Sequence, residues 1–170
     1  RRQVVVRMHP TDAGHLRSRV AAIGAKVPGV ERIEIIDEVQ LRVVNAYSKT
    51  NYPLAPTLFF EFHGISETAV EDQIRAVEEI ARDNGAQGFK WAASLDDRNT
   101  LWQARHNAYF ALLQMRPGCR AISTDCCVPI SRLAECLLET KADCERENIV
   151  HGIVGHVGDG NFHVQMLVDP

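Results

Sequence analysis

Apolar and polar positions along the chain follow two rhythms. One has period two or runs unbroken over a few residues, and the other repeats every three to four. Residues 4–7 form a short apolar run that predicts a strand, and Thr11-Asp12 then supplies N-cap chemistry for a helix over residues 11–26. Pro28-Gly29 breaks that helix, and the β-branched residues 31–36 predict a second strand. Asp37 can cap a helix running through Val39, Val43, Val44 and Tyr47. Residues 51–56 read as a loop closed by two prolines, and residues 57–63 as a strong strand. Beyond Ser66, the residues Val70, Ile74, Val77, Ile80 and Ala81 make one apolar stripe, ended by a left-handed cap at Asn84-Gly85. A strand over 87–92 and a helix over 96–115 that stops at Pro117-Gly118 come next. Residues 119–128 are extended, and Pro129 confines them to an edge or a strand end. Ile130, Leu133, Ala134, Leu137, Leu138 and Lys141 trace the last helix, and residues 150–157 and 161–168 are two further strands.

These elements sum to an α+β layer: an antiparallel sheet with helices mainly on one face, built from ferredoxin-like split βαβ units. A chain of 170 residues suits one domain. Its 45% hydrophobic and 24% charged residues can bury a core and argue against disorder. Net charge is −3 and no Lys/Arg stripe forms, so no nucleic-acid partner is expected. No apolar run approaches the ~20 residues that cross a bilayer, so no transmembrane segment is expected. Neither an initiator Met nor a signal peptide opens the chain, which reads as an excised piece of something larger. The cysteines are Cys119, Cys126, Cys127, Cys136 and Cys144, an odd number with no C-x-x-C pair. Free thiols in a reducing compartment fit them better than a disulfide or zinc framework.

The segment richest in chemistry is Gly155-His156-Val157-Gly158-Asp159-Gly160-Asn161-Phe162-His163. Asp-Gly between two apolar strands is a strong hairpin signal. A two-residue type I′ loop at Asp159-Gly160 would pair His156 with His163 across the strands, on one sheet face. Two imidazoles so placed can chelate one divalent metal. Asn161, His163 and Gln165 then share a polar face, and Phe162, Val164, Met166 and Val168 an apolar one. The plainer reading is a surface hairpin with incidental histidines. Glu61, His63 and Asp125 are each conceivable as a third ligand, and spacing does not choose among them.

Two other features stand out. Leu101, Ala108, Leu112 and Met115 form a helical stripe that contains Arg105. An arginine there snorkels to a rim or pairs with a glutamate; alternatively it clamps an anion with two parallel hydrogen bonds. Ser123-Thr124-Asp125 places small polar groups at a strand end, where bonding to backbone is the plain reading.

Together these motifs resemble one family. The nine-residue histidine segment resembles the signature of the FAD-linked oxidases of the vanillyl-alcohol-oxidase type. Arg105-His106-Asn107-Ala108-Tyr109, Arg116-Pro117-Gly118-Cys119 and the run from Ser123 to Leu133 look like the FAD-dependent D-lactate dehydrogenase branch. Glu34-Ile35-Ile36-Asp37-Glu38 and Ala46-Tyr47-Ser48-Lys49 fit the same branch. The resemblance implies that residues 1–170 are a substrate- and metal-binding C-terminal domain, with the FAD-binding domain and the C-terminal end of the protein absent from this chain. It implies that His156 and His163 bind a divalent metal, zinc or manganese, and that Arg105 and Asn161 bind the 2-hydroxy acid. It implies oxidation of D-lactate to pyruvate by hydride transfer to FAD. No catalytic residue is assigned within this chain, and the residues that meet the flavin are unknown, FAD being bound mainly by the absent domain. The family's third metal ligand belongs to a Glu-His-Gly motif beyond Pro170, so the chain alone is expected to be inactive.

Ser123 stands where the 2-hydroxyglutarate branch has a lysine, which favours a monocarboxylate. Tyr109 and Cys126 also depart from family usage. The alternatives are a D-2-hydroxyglutarate or glycolate oxidase subunit of the same family, or a non-catalytic α+β binding module. The expected location is the bacterial cytoplasm or the inner-membrane periphery, or the mitochondrion in a eukaryote. A homo-oligomer is left open, and the electron acceptor is not legible.

Overall fold

The structure, a computed structural model, describes residues 27–92 and 94–169 in full and residues 2–10 as backbone. The helix expected over 11–26 lies outside the described residues. In chain order the elements are β1 (Arg2–Pro10), β2 (Val30–Ile36), α1 (Glu38–Ser48), β3 (Thr57–Gly64), α2 (Glu67–Asp83), β4 (Ala86–Ala92), α3 (Leu95–His106), α4 (Ala108–Leu113), β5 (Arg120–Ser123), β6 (Cys126–Cys127), α5 (Ile130–Arg146), β7 (His151–Gly155) and β8 (Asn161–Val168). The strands form one sheet in the order β4-β1-β3-β2-β7-β8-β5, with β6 paired to the start of β8. Every pairing is antiparallel. The α+β class with an antiparallel sheet is therefore the observed one. The four neighbours β4-β1-β3-β2 have the strand order expected of ferredoxin-like split units, with β3 between β1 and β2 and β1 between β3 and β4.

The helices do not lie mainly on one face. Strand β3 explains why, because it is apolar on both sides. Leu58, Phe60 and Phe62 enter one core with Ile33, Ile35, Val70, Ile74, Val77, Leu133 and Leu137. Phe59 points the other way, into a second core with Ile36, Leu41, Val44, Ala104, Ala108, Leu112, Val154 and Leu167. Helices α2 and α5 thus cover the first face, and α1, α3 and α4 the second. The strand parity read from 161–168 holds for Phe162 and Val164, but Gln165 is buried and Leu167 joins the second core. The second face is polar only beyond the reach of its helices. There it carries Arg32 opposite Glu61, and Glu34 beside Phe59.

The single helix expected over 96–115 is two helices, α3 and α4, broken at Asn107. The Asn107 side chain donates to Ser48 Oγ at 3.0 Å and so ties the break to α1. The extended segment over 119–128 likewise splits into β5 and β6, each paired to a different part of β8. The five cysteines are free. No helix among the described residues is long and apolar enough to cross a membrane.

The caps follow the local chemistry. Ser66 accepts from the Ala69 amide at 3.1 Å, and Gly85 takes the left-handed conformation after α2. Asp37 accepts from the Gln40 amide at 2.8 Å and is 5% exposed. Burial pushes its carboxyl from the ordinary 3.8 up to about 6, against the opposing backbone hydrogen bonds. The folded state then holds a proton that the unfolded chain has released. The contribution to stability is complete below about 3.8 and is lost as pH rises through about 6. Asp37→Asn keeps the cap and removes the titration. Denaturant melts at pH 4.5 and pH 7 should show a smaller decline for the variant, which becomes more stable than wild type at pH 7 by about 1–3 kcal/mol. Parallel declines would contradict this.

Candidate functional site

The site begins at the connection between β7 and β8. Asp159-Gly160 is not a two-residue type I′ loop, because that turn needs positive φ at both residues and only Gly160 has it, at 76°. Residues Val157–Asp159 instead form a single 3-10 turn closed by Gly160. The amides of Asp159 and Asn161 both donate to the His156 carbonyl, at 3.0 and 3.2 Å. The register moves accordingly: His163 pairs with Val154, not with His156. His156 leaves the strand before the turn and folds back over the sheet. The two rings still meet, edge to face, with centroids 5.7 Å apart and planes at 86°.

Each ring is held by its Nδ1. His163 Nδ1 lies 3.0 Å from the Thr124 carbonyl, which can only accept. His163 therefore carries its proton on Nδ1, and a neutral ring keeps the Nε2 lone pair free. Thr124 is itself clamped to β8: its amide donates to the Val164 carbonyl at 3.0 Å, and its Oγ1 accepts from the Val164 amide at 2.9 Å. His156 Nδ1 lies 2.8 Å from Glu34 Oε1. Neither Nε2 makes a hydrogen bond among the described residues.

Sequence reasoning missed Glu34 as a site residue. Its side chain is 3% exposed, at the centre of a β-branched strand. Its second oxygen, Oε2, accepts from Arg105 Nε at 2.9 Å. Arg105 thus makes the glutamate pair named above as one reading, and that pair brings it to the carboxylate that holds His156. The terminal guanidinium edge is not used by Glu34. The signal for Glu34 was available: one carboxylate flanked by Ile33, Ile35 and Ile36 must find a partner, since a buried unpaired charge is costly.

Asn161 lies at the opposite margin. Its Nδ2 donates to Asp125 Oδ1 at 2.7 Å, while its Oδ1 is buried without a partner among the described residues. Asp125 Oδ1 is also 3.6 Å from His163 Nδ1. The other two candidate ligands have partners of their own. His63 sits between Glu31 and Glu61 at 3.3 and 3.6 Å, forming its own charged cluster. Glu61 also faces Arg32 at 3.8 Å, and the Arg32 guanidinium lies 5.2 Å above the Trp102 ring. No group of three His, Cys, Asp or Glu side chains able to hold a metal occurs among the described residues. A cleft of about 160 Å³ borders His156 on the side of Arg32, Glu31 and Asp159. Its charged lining is mixed, with the Arg32 guanidinium beside the Glu31 and Asp159 carboxylates.

Residues 3–170 match the family of FAD linked oxidases, C-terminal domain. The chain belongs to that family. It is 47% identical over 161 residues to a probable mitochondrial D-lactate dehydrogenase of Danio rerio, a match that covers 95% of this chain and 32% of the relative. It is 36% identical over 151 residues to the mitochondrial D-lactate dehydrogenase [cytochrome] of Arabidopsis thaliana, covering 88% of this chain and 26% of the relative. The chain thus spans about a quarter to a third of the length of these curated relatives. Among solved structures, an alkyldihydroxyacetonephosphate synthase superposes with a TM-score of 0.70 at 12% identity, over 98% of this chain and 36% of that one. The 4-ethylphenol oxidase of Gulosibacter chungangensis gives 0.64 at 11% identity, over 97% of this chain and 39% of that one. These two likenesses are of fold.

The turn that positions His156 depends on Gly160. A Cβ added there would sit 2.1 Å from the Val128 carbonyl oxygen, on left-handed backbone. Gly160→Ala should therefore cost more than the ~1–2 kcal/mol of the left-handed conformation alone. Chemical denaturation measures it; a loss below about 0.5 kcal/mol would show that the turn reorganises freely.

Proposed function

We propose that this chain is the substrate- and metal-binding domain of a flavin-dependent dehydrogenase that oxidises D-2-hydroxy acids, with D-lactate to pyruvate as the reaction. The observation that carries the reading is the sharing of one buried carboxylate. Glu34 holds His156 and Arg105 together, and the His163 ring lies against His156. Metal-type ligands and a carboxylate-binding group are thereby joined in one site, as recognition of a 2-hydroxy acid requires.

The residues fit a divalent zinc or manganese ion in their chemistry. Both imidazoles are fixed through Nδ1, one by a carboxylate and one by a carbonyl, which is how metal-ligating histidines are usually held. His156 and His163 would supply two nitrogen ligands. When bound, the metal would supply Lewis-acid polarisation of the substrate hydroxyl, and a flavin would supply the hydride acceptor. Arg105 contributes the guanidinium edge left free by Glu34, which can meet a carboxylate with two parallel hydrogen bonds. Asn161, whose Nδ2 donates to Asp125, stands at the margin of the same site. Together they fix the acid at its carboxylate and hydroxyl ends, which orients C2–H.

Ser123 supports a monocarboxylate, since the second charge of a dicarboxylate would find no lysine there. The relatives named for D-lactate are 47%, 36%, 32% and 32% identical, against 26% for the Escherichia coli glycolate oxidase subunit GlcD. Their names also support a mitochondrial location in a eukaryote.

The test is kinetic and analytical, on the full-length protein that carries this chain. His163→Ala should lose bound zinc or manganese and most D-lactate turnover while flavin content stays near normal. Parallel loss of flavin and metal would count against the assignment. Arg105→Lys keeps a charge for Glu34 and removes the planar fork. Its kcat/KM for D-lactate should fall by roughly 2–4 kcal/mol, with KM raised. Wild-type kinetics in that variant would make Arg105 structural.

A further inference from the structure

We propose that Glu34 is a positioning residue that couples metal binding to carboxylate recognition, by fixing the His156 tautomer with one oxygen and the Arg105 guanidinium with the other. The inference rests on the reading of the site given above and deepens it. Glu34 itself touches neither metal nor acid in this scheme.

Four observations carry it. Glu34 is a carboxylate with only 3% of its side chain exposed, so it needs partners that donate. Each oxygen has one at close range, His156 Nδ1 at 2.8 Å and Arg105 Nε at 2.9 Å. A carboxylate accepts only, so it selects the His156 tautomer with the proton on Nδ1. The Nε2 lone pair is then presented, matching the state that the Thr124 carbonyl imposes on His163. On the other side, engaging Nε leaves the terminal Nη1/Nη2 edge of Arg105 as the donor pair for a second carboxylate. Arg32 stands 4.0 Å away and adds positive potential without taking either partner's place.

Chain geometry suits the role. Glu34 comes from β2, at the middle of the sheet, whereas His156 comes from the β7–β8 turn and Arg105 from α3. The partners are 122 and 71 residues away in sequence. One strand thus joins a turn and a helix that lie far apart in sequence.

The amide isostere tests this sharply. Glu34→Gln keeps the shape but must face one of its two donors with an NH2 group. If it faces His156, the ring has to move its proton to Nε2, and the metal-binding lone pair is lost. The guanidinium has no acceptor to offer an NH2 group, so the amide oxygen stays on Arg105 and the NH2 faces His156. In the full-length flavoprotein, stripped of metal and titrated with Mn²⁺ alone, Glu34→Gln should weaken Mn²⁺ binding about 10–100-fold. KM for D-lactate should rise with it, while flavin content and thermal midpoint serve as the fold control. Glu34→Asp should recover part of the Mn²⁺ affinity, since the accepting charge returns. His163→Ala runs alongside. If His163→Ala abolishes Mn²⁺ binding but Glu34→Gln leaves the Mn²⁺ Kd and KM unchanged, the role of Glu34 is overturned and the site reading stands. If His163→Ala leaves Mn²⁺ binding unchanged, the site reading fails and takes this inference with it. Should Glu34→Gln not retain flavin, the nitrogen chemical shifts of ¹⁵N-labelled histidine in metal-free wild type decide, with His156 assigned by His156→Gln. A proton on Nδ1 supports the proposal, and one on Nε2 overturns it.

Discussion

The buried carboxylate of Glu34 is the constraint around which the polar end of this domain is arranged. A carboxylate taken out of water at the middle of a sheet loses several kcal/mol of hydration. That loss is offset only when donors approach both oxygens, and here an imidazole and a guanidinium do so. Neither donor is a neighbour in sequence. The fold must therefore bring a turn and a helix to β2 at the same time, and any packing that fails to do so leaves a buried charge unpaired. An interaction of this kind adds little net stability against an apolar substitute, but it penalises alternative arrangements strongly.

The second constraint is the extent of the helical layer. Strands β2, β3, β7 and β8 are apolar on both faces along part of their length, and α1, α3 and α4 close over the second face only there. Beyond that edge the same strands carry Arg32, Glu34, Glu61 and His163. The site sits at this boundary, where a rigid sheet meets solvent and the last turn of α3 delivers Arg105. Trp102, one turn earlier, packs near Phe59 and under the Arg32 guanidinium, so the same helix anchors itself in the core and screens the charged cluster. Binding groups on strands and a packed helix are better fixed than groups on a free loop. The exception is His156, and its turn is held by Gly160 and by two amides on its own carbonyl.

Much of this was readable from residue order. Alternation and β-branching marked the strands of the described chain, and Ser66, Asp37 and Asn84-Gly85 marked helix ends by local hydrogen-bonding chemistry. The Asp-Gly turn between apolar runs brought attention to His156 and His163. Their approach was foreseen, but for a different geometry. A two-residue loop would have made them cross-strand partners, whereas the 3-10 turn shifts the register and lifts His156 off the strand. Turn type depends on backbone angles that Asp-Gly permits but does not compel, and the collision of any Gly160 side chain with Val128 is a contact with the residue that follows β6, distant in sequence.

What the chain determined alone was therefore local: element type, cap chemistry, the antiparallel α+β class, and the residue types able to bind metal or anion. Those follow from interactions within a few residues. What only the tertiary structure decided was pairing. It placed helices on both faces because β3 has two apolar sides to cover. It joined Arg105 and His156 through Glu34, set His63 between Glu31 and Glu61, and set Asp125 against Asn161. Such pairings join groups tens of residues apart. Their energies depend on burial and on which donors meet which acceptors, and no local pattern records either.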